Sequence, residues 1–367
     1  MSGVLLVSDL ALERWPSMDR YAAELARRVP GLSRPEEALA LAGPRYWTRY
    51  VRYPRALRRY RPDLIHVADH SYAHCLSAFP GVPSVLTIHD LFPLHVLAAG
   101  GRSARNIVRD ALLRWVLGWV RRASRWIAVS EFTAGEVRRY LDVPPESVRV
   151  VPLGVDERFA TPPLAAAVAE RRRGWLGAGA GPKTYVLLHV GNCSPRKNVE
   201  AAIKALGVLR RDGVDARLVQ IGGRFERSHH RAIAASGVEG YVRQETAVTE
   251  ESLVAAYYAA DAMVLPSTYE GFGLPALEAQ AAGLPVVTSG AGGLAEAVGE
   301  AGLVTATEPA PLATSLAQAL TDAATRTTLI QRGLLHARTM TWDRTASATR
   351  AVYAELVPQL DALHPSS

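Results

Sequence analysis

The sequence predicts an α/β fold with two Rossmann-like, doubly wound domains that face each other across a cleft. Short apolar runs alternate with helical patterns along the chain, and this alternation is typical of βαβ units with parallel sheets. The alternation forms two separate series, and 367 residues exceed the usual size of one domain. We therefore expect an N-terminal domain over residues 1–165 and a C-terminal domain over residues 180–341.

Each series contains four apolar runs that are typical of buried strands. They are VLLVSD, LIHVAD, SVLTIHD and WIAVS in the first series, and YVLLHVGN, ARLVQIGG, AMVLPS and PVVTS in the second. Helical patterns separate them: SMDRYAAELARRV and SARNIVRDALLRWVLGWVRRA, then NVEAAIKALGVLRRDG, EESLVAAYYAA, LPALEAQAAG and LATSLAQALTDAA. Residues 161–183, between the two series, are rich in Pro, Gly and Ala, which favours a linker.

Positive charge is concentrated in the first half of the chain. Residues 1–160 contain 23 Arg, no Lys and 16 acidic residues, whereas residues 161–367 contain 19 basic and 19 acidic residues. The first half therefore carries the whole net charge of +7, which favours an anionic partner or surface there. In residues 45–62, seven arginines are interleaved with five aromatic residues, and an amphipathic basic helix is predicted over residues 101–126. Anionic lipid headgroups or a phosphorylated acceptor are open interpretations for the first segment, and a solvated helix face or peripheral membrane contact for the second, while nucleic acid is disfavoured because no recognition module accompanies the arginines.

Nothing in the sequence indicates export or membrane insertion. No apolar run reaches the roughly 18 residues of a bilayer span, and the first residues lack the basic leader of a signal peptide. The two cysteines, Cys75 and Cys193, form no disulfide framework and suit a reducing compartment. We expect a cytoplasmic protein, with any membrane contact peripheral and at the inner face.

Two glutamates flank a turn that follows a predicted strand of the second series. Glu270 lies in the loop TYEGFG, and Glu278 lies about one turn into the helix LPALEAQAAG. Gly271 and Gly273 allow backbone N–H groups to approach a ligand closely, and a helix N-terminus favours phosphate. Because carboxylates repel phosphate, we expect the glutamates to accept hydrogen bonds from hydroxyls on either side of it, those of a ribose and a sugar.

A second anion site is predicted after the strand YVLLHVGN. Gly191 opens the loop, Asn198 is placed to cap the next helix, and Arg196 and Lys197 precede that cap. Cations beside a helix N-terminus oppose its dipole and cost stability unless an anion lies nearby. A diphosphate would remove this conflict, and a solvated pair of surface cations is the alternative.

These motifs, in this order, resemble the retaining GT-B glycosyltransferases of family 4, the glycosyl transferases group 1 domain. PSTYEGFGLPALEAQAAGLPVVTS carries the family's two glutamates separated by seven residues, and GNCSPRKN resembles the phosphate loop of bacterial polysaccharide mannosyltransferase-like members. TIHDLFP, VSEFTAGEV and VPLGVDERF also match family stretches, so the resemblance covers nearly the whole chain. It implies a nucleotide-diphosphate sugar as donor substrate, held mainly by the second domain, and no cofactor.

The resemblance also implies roles for individual residues. Arg196 and Lys197 would neutralise the diphosphate, and Glu278 would accept hydrogen bonds from the ribose hydroxyls. Glu270 would meet the donor sugar, while His89, at a strand end of the first domain, would face that sugar across the cleft. The candidate catalytic residues are thus His89, Glu270, Lys197 and Arg196, and the candidate donor-binding residues are Gly191, Asn192, Val248, Gly271, Phe272, Gly273, Leu274 and Glu278.

Two positions depart from the family pattern. Asn192 stands where many members carry Arg, and the loop ERWPSMDR after the first strand contains no glycine. The second departure suggests that Ser17 or Met18 shapes access for the acceptor. The family retains anomeric configuration without a clear protein nucleophile, so protein cations and a helix terminus would stabilise the leaving diphosphate and no divalent metal would be required.

The C-terminal stretch TWDRTASATRAVYAELVPQLDAL places apolar residues, from Trp342 to Leu360, at near-helical spacing. Such a helix needs an apolar surface, and the βα series of the second domain is already complete. In the resembling family the terminal helix crosses back to the first domain. We therefore expect residues 345–362 to pack there.

The sequence thus predicts a metal-independent, retaining glycosyltransferase that transfers a sugar to a hydroxyl of a glycan, a lipid-linked glycan or a glycosylated natural product. Two alternatives stay open: another GT-B enzyme, such as a phosphorylase or a nucleotide-sugar epimerase, and an inactive sugar-binding or scaffold partner. A metal site is disfavoured because no Cys or Glu completes the histidine-rich stretch that contains His66, Asp69, His70 and His74.

Overall fold

The computed structural model of the chain describes residues 3–13, 15–98, 107–177, 181 and 183–359. It divides into two compact units, one extending to Gly154 and resumed at Trp342, and the other covering Val155–Thr341. Each unit contains a six-stranded parallel sheet with helices packed against it. The predicted α/β fold class with two Rossmann-like domains is therefore confirmed.

The sheet of the first unit has the strand order β2-β1-β3-β4-β5-β6. The chain first adds β2 on one side of β1 and then adds β3 on the other, so the strand order reverses between β1 and β3. The strands are β1 Val4–Val7, β2 Leu32–Ser33, β3 Leu64–Val67, β4 Ser84–Ile88, β5 Arg125–Ala128 and β6 Val148–Val150. The helices are α1 Pro16–Arg28, α2 Glu37–Ala40, α3 Arg45–Trp47, α4 Tyr53–Leu57, α5 Phe92–Ala98, α6 Ile107–Val120 and α7 Glu131–Tyr140, with a π-helical turn at Thr48–Arg52 and 3-10 turns at Ala11–Glu13, His70–Ala78 and Pro145–Ser147.

The sheet of the second unit has the order β12-β11-β10-β7-β8-β9, which reverses between β7 and β10. In open α/β sheets, ligands bind outside the carboxyl ends of the strands at such a reversal. The strands are β7 Tyr185–Gly191, β8 Ala216–Gly222, β9 Val242–Glu245, β10 Ala262–Leu265, β11 Val286–Thr288 and β12 Gly302–Val304. The helices are α8 Ala165–Leu176, α9 Val199–Arg211, α10 Arg227–Ser236, α11 Glu250–Ala259, α12 Leu274–Ala281, α13 Leu294–Val298, α14 Pro309–Thr321 and α15 Ala323–Thr339, with 3-10 turns at Glu157–Phe159, Pro195–Lys197 and Glu239–Tyr241.

All eight strands expected from apolar runs are present, whereas four strands were not predicted. The four are β2, β6, β9 and β12, and each is the edge strand of its sheet. An edge strand is covered less completely than a central one, so it needs no continuous apolar run. The sequence VRQE of β9 illustrates this, because its residues are exposed or only half-buried.

The segment at residues 161–183, expected to be a linker, instead contains helix α8. Its alanines favour helix, and they outweigh the Pro and Gly at its ends. Trp175 is buried, and its indole N–H donates to Glu245 Oε1 at 2.9 Å. Arg172 donates to Asp261 Oδ2 at 2.8 Å. The helix is therefore part of the second unit, which begins at Val155 rather than near residue 180.

The last helix, α16 Trp342–Ala354, packs on the first unit against α1. Its buried face includes Trp342, Ala346 and Val352. Tyr353 Oη lies 2.6 Å from Nδ1 of the buried His66 on β3, and Thr345 Oγ1 donates to the Pro152 carbonyl at 2.8 Å. The helix ends at Ala354, before the expected residue 362, and residues 360–362 lie outside the described part of the chain. For the basic helix expected over residues 101–126, residues 101–106 also lie outside the described part, and α6 ends at Val120 because strand β5 begins at Arg125.

Candidate active site

Two loops meet at the strand-order reversal of the second unit. One follows β7 and leads into α9, and the other follows β10 and leads into α12. β7 and β10 are paired in parallel, so their carboxyl ends are adjacent. The loops also bond directly, since the Thr268 N–H donates to the Arg196 carbonyl at 2.7 Å. Tertiary structure therefore joins the two anion-site motifs of the sequence into one site.

A buried charge cluster centred on Glu270 connects these loops. Lys197 Nζ donates to Glu270 Oε1 at 2.5 Å, and Arg196 Nη1 donates to Glu270 Oε2 at 3.1 Å. Ser267 Oγ adds a third bond to Oε1 at 2.8 Å. Lys197 is 8% exposed and Glu270 6% exposed, so the charges of both are stabilised chiefly by each other.

The protonation state of Glu270 follows from this cluster. Burial by itself raises the pKa of its carboxyl, but Lys197 and Arg196 outweigh burial and hold the pKa below its ordinary value. Glu270 is therefore a carboxylate at neutral pH. It can accept hydrogen bonds from ligand hydroxyls, and it cannot donate a proton.

Two helix N-termini border the cluster. Neither α9 nor α12 has a side-chain cap, so a helix N-terminus on each side can attract an anion. α12 offers fewer backbone donors, because Pro275 has no N–H and the Ala276 N–H donates to the Gly273 carbonyl at 2.9 Å. The expected cap by Asn198 is wrong: it occupies the N-cap position in the left-handed conformation, with φ of 50°, and its side chain makes no capping bond. The sequence pattern specified the position but not the backbone conformation that turns the side chain away.

Gly273 is required at the start of α12. Its φ is 125°, a region that disfavours residues with a Cβ, and a Cβ there would lie 2.6 Å from Leu294 Cδ1. Gly191 at the end of β7 has φ of 148°. The candidate residues Gly271, Phe272 and Leu274 lie on the same turn, Phe272 buried and Leu274 at the first position of α12.

Glu278 lies on α12, in which every residue from Ala276 to Ala281 is buried. Its Oε2 accepts a hydrogen bond from Tyr257 Oη on α11 at 2.6 Å. Tyr257 is fixed in turn by an edge-to-face contact with Phe159, with ring centroids 5.2 Å apart. Tyr257 thus orients the carboxylate, a contact that sequence spacing did not indicate.

The remaining candidates of the second unit lie at the same edge of the sheet. Asn192 is exposed, and its Oδ1 accepts bonds from the N–H and the hydroxyl of Ser194, at 3.1 and 2.7 Å, so it shapes the loop. Val248 lies half-buried in the loop between β9 and α11. Strands β7 and β9 flank β8 in the sheet, so these two loops lie on either side of the carboxyl end of β8.

His89 belongs to the first unit, at the end of β4. It is 9% exposed, its Nε2 lies 3.0 Å from the Ala68 carbonyl, and its ring packs edge-on against Tyr21. Burial lowers the pKa of His89 although Asp69 opposes this, so the imidazole is neutral at pH 7. It can exchange hydrogen bonds with a polar ligand but adds no positive charge.

Three of the four residues weighed as a metal site have other partners, and the fourth, His70, lies 3.6 Å from Asp69. His66 lies between Tyr353 Oη and Thr87 Oγ1, at 2.6 and 2.7 Å, and His74 Nε2 lies 3.0 Å from the Arg49 carbonyl. Asp69 accepts a bond from the Ser71 N–H. In the part of the chain that the structure describes, no group of three His, Cys, Asp or Glu residues could hold a metal ion.

Sequence analysis missed Ser267, Tyr257 and His189. The sequence did indicate Ser267, because a polar residue just after a predicted strand lies at the sheet edge where ligands bind. His189 is fully buried on β7 beside Lys197, and burial together with that lysine lowers its pKa to about 3. A lone His in an apolar strand run was its only signal.

Two Rossmann-like units, each with a parallel sheet, define the GT-B class of fold. In this chain the site lies where the strand order of the second sheet reverses. Residues 178–335 match the family described as "Glycosyl transferases group 1", and residues 10–159 match "Glycosyltransferase Family 4". The chain belongs to this glycosyltransferase family, as relatives over most of its length also show.

Two of these relatives are D-inositol 3-phosphate glycosyltransferases. That of Salinispora arenicola (strain CNS-205) is 37% identical over 76% of this chain and 64% of its own length, so the present chain spans somewhat less than two thirds of it. That of Arthrobacter sp. (strain FB24) is 33% identical over 77% of this chain and 68% of its own length.

Solved structures share the fold at low sequence identity. Sucrose-phosphate synthase from Thermosynechococcus elongatus matches with a TM-score of 0.76 at 20% identity, covering 98% of this chain and 100% of that one. Anabaena HepE in complex with UDP and glucose matches with a TM-score of 0.73 at 18% identity, covering 97% and 100%.

Proposed function

We propose that this protein transfers a sugar from a nucleotide-diphosphate sugar to an acceptor hydroxyl with retention of anomeric configuration. The observation that carries the proposal is the Lys197–Glu270–Arg196 cluster between two uncapped helix N-termini. It places two cations, two helix N-termini and one carboxylate at the sheet edge where ligands of this fold class bind. Family membership supports the same assignment.

The proposed reaction forms a bond between the acceptor oxygen and the anomeric carbon while the bond from that carbon to the diphosphate breaks. The acceptor proton passes to the departing phosphate oxygen. Arg196, Lys197 and the N-terminus of α12 stabilise the charge that grows on the diphosphate, which is the kind of preorganised electrostatic interaction that dominates many enzymes. With these groups in place the reaction requires no divalent ion. Glu278 holds the ribose, and Glu270 accepts hydrogen bonds from the sugar.

The acceptor is a hydroxyl compound of one of the classes expected from the sequence: a glycan, a lipid-linked glycan or a glycosylated natural product. The names of the two relatives add a phosphorylated cyclitol to this set. For the donor, the HepE complex with UDP and glucose makes UDP-glucose a reasonable first choice, and the mannosyltransferase-like phosphate loop makes a mannosyl donor the second.

A phosphorylase is disfavoured by the lysines of the second unit. A phosphorylase of this fold needs a buried lysine to carry pyridoxal phosphate. Lys183 is exposed, Lys204 is exposed beside Glu200, and Lys197 is committed to Glu270.

The test measures nucleoside diphosphate release from a panel of nucleotide sugars, with and without each acceptor class, in buffer with EDTA. We expect release that depends on acceptor and a product whose anomeric proton coupling matches the donor. Dependence on inorganic phosphate would indicate a phosphorylase, and a changed sugar without acceptor would indicate an epimerase. Nucleotide-sugar binding without turnover would indicate a scaffold, and strict rescue by Mg²⁺ or Mn²⁺ would contradict the metal-independent mechanism.

A further inference from the structure

The first unit exposes large aromatic side chains that its core does not use. Tyr46 is 67% exposed, Trp47 54% and Trp115 45%. Tyr46 stacks on Tyr50 with ring centroids 6.2 Å apart, and Tyr50 meets Trp115 edge-on at 5.9 Å. Tyr46, Tyr50 and Trp115 are thus connected through their rings, and the exposed Trp47 directly follows Tyr46 on α3. We name these four residues the aromatic surface.

Arginines border the aromatic surface. Arg45 precedes Tyr46 with a side chain 53% exposed, and Arg114, exposed as well, precedes Trp115. Just after the end of α6, Arg122 lies 4.4 Å over the ring of Trp119, which is one helical turn beyond Trp115. The segments 38–62 and 111–130 together contain eleven arginines and no Asp or Glu. The patch therefore combines aromatic rings with positive charge.

Acidic side chains from outside the two segments cancel only part of this charge. Glu13 accepts bonds from both Arg45 and Arg49, at 3.1 and 2.8 Å, so one carboxylate serves two guanidinium groups. Arg49 also donates to the Ser71 carbonyl at 2.7 Å. Because Glu13 follows β1 and Ser71 follows β3, these bonds place the aromatic surface beside the carboxyl edge of the first sheet, where its strand order reverses.

We propose that the aromatic surface docks on an anionic membrane. Trp and Tyr rings favour the headgroup region of a bilayer, and arginines attract acidic headgroups. Single-stranded nucleic acid also binds aromatic and Arg-rich surfaces, but it stacks bases on open ring faces. Here Tyr46 and Tyr50 stack on each other, which favours lipid. None of the described helices is long and apolar enough to cross a bilayer, so docking is peripheral.

Docking in this way would hold the carboxyl edge of the first unit near the membrane, within reach of a lipid-borne substrate. Membrane docking itself requires only the aromatic surface and does not depend on the transfer reaction.

The experiment is co-sedimentation of the full chain with vesicles of phosphatidylcholine and with vesicles of phosphatidylcholine mixed with phosphatidylglycerol. We expect binding to the mixed vesicles that weakens as salt is raised. Arg114→Glu should lower the partition coefficient at least about fivefold, since each cation near an anionic surface contributes on the order of that factor. Trp47→Ser combined with Trp115→Ser should lower it as well, and brominated lipid should quench tryptophan fluorescence in the unaltered protein.

Matched control substitutions lie on α15 of the second unit, where Leu335 is 62% exposed and Arg338 is exposed. Leu335→Ser with Arg338→Glu should leave vesicle binding unchanged. Thermal melting and far-UV circular dichroism check that every variant is folded. Absence of vesicle binding, equal binding to neutral vesicles, or equal losses in the control would overturn the proposal. Salt-sensitive binding of single-stranded DNA without vesicle binding would reassign the surface to nucleic acid.

Discussion

Lys197 Nζ lies 2.5 Å from Glu270 Oε1, in a buried ion pair that connects the loops after β7 and β10. A buried carboxylate needs such a partner, because an unpaired charge away from water is costly. Under the proposed function, a diphosphate would compete with Glu270 for the ammonium group of Lys197. If Lys197 turned to the phosphate, Glu270 would gain acceptor capacity for hydroxyl groups. The same two side chains would then stabilise the fold without a ligand and bind the donor when it is present.

The first prediction concerns Lys197. Lys197→Ala should weaken binding of the nucleoside diphosphate by at least about tenfold and binding of the nucleoside hardly at all, because a charge-assisted hydrogen bond contributes about 1.5–3 kcal/mol. Isothermal titration with both ligands measures the difference. Lys204→Ala is the matched control, since Lys204 lies on α9 half exposed and 3.8 Å from Glu200. Equal losses for the two ligands would mean that Lys197 acts on the fold and not on phosphate.

The second prediction concerns Glu270. Glu270→Gln removes the competing charge but keeps the shape, so nucleoside diphosphate should bind about fivefold more tightly, a gain of ~1 kcal/mol. The turnover number kcat should fall, because the contact with the sugar is weakened in the transition state. Titration and steady-state kinetics on the same preparation separate the two effects. Weaker diphosphate binding in this variant would contradict the competition described above.

The third prediction concerns the Tyr257–Glu278 hydrogen bond. Tyr257→Phe should raise the KM for the donor about fivefold with kcat nearly unchanged, since one lost hydrogen bond costs about 1 kcal/mol of ribose binding. Tyr258→Phe is a close control, because the neighbouring hydroxyl donates to the Phe159 carbonyl at 2.9 Å and not to Glu278. A fall in kcat alone would place Glu278 at the reacting sugar and not at the ribose.

The fourth prediction concerns acid sensitivity. Within the described residues, neither ring nitrogen of the buried His189 has a hydrogen-bond partner, and burial lowers its pKa to about 3. The unfolded chain, with an ordinary His pKa near 6.5, binds more protons between about pH 6.5 and 3, so stability falls as pH decreases through that window. At pH 5 the loss from this residue is about 2 kcal/mol.

Urea denaturation of His189→Phe at pH 7 and pH 5 tests this prediction. The variant should lose about 2 kcal/mol less unfolding free energy between the two pH values than the unaltered protein. His230→Phe serves as the control, because His230 is exposed and changes its surroundings little on unfolding. An unchanged pH dependence in His189→Phe would show that His189 does not contribute.

The fifth prediction concerns helix α16. Tyr353→Phe should destabilise the first unit by about 1–3 kcal/mol, because it leaves Nδ1 of the buried His66 without the partner now 2.6 Å away. Deleting all residues after Thr341 should destabilise that unit further by exposing the surface under Trp342 and Val352. Thermal melting and dye binding to exposed apolar surface report the change. A truncated chain with an unchanged melting profile would mean that α16 is an appendage.

The strands show which elements the local sequence pattern can predict and which it cannot. The eight runs that are rich in apolar residues, of which VLLV and AMVL are apolar throughout, form central strands because a central parallel strand is covered on both faces. The edge strands, such as β9 with VRQE, carry no such signal. Local composition also gave a wrong prediction at α8. Pro and Gly at the ends of residues 161–183 predicted a linker, but the segment contains an alanine-rich helix that is stabilised by the burial of Trp175.

By itself the sequence determined the βα alternation, the two series of units, the glycine turn before α12 and the residue types of the site. These properties depend on contacts within a few residues, so they are encoded locally. Only the tertiary structure decided that Lys197 meets Glu270, 73 residues away, because that contact requires β7 and β10 to be neighbours. It likewise decided that Tyr257 orients Glu278 and that the side chain of Asn198 does not cap helix α9. Strand order and backbone conformation depend on the packing of the whole sheet, and no local pattern specifies them.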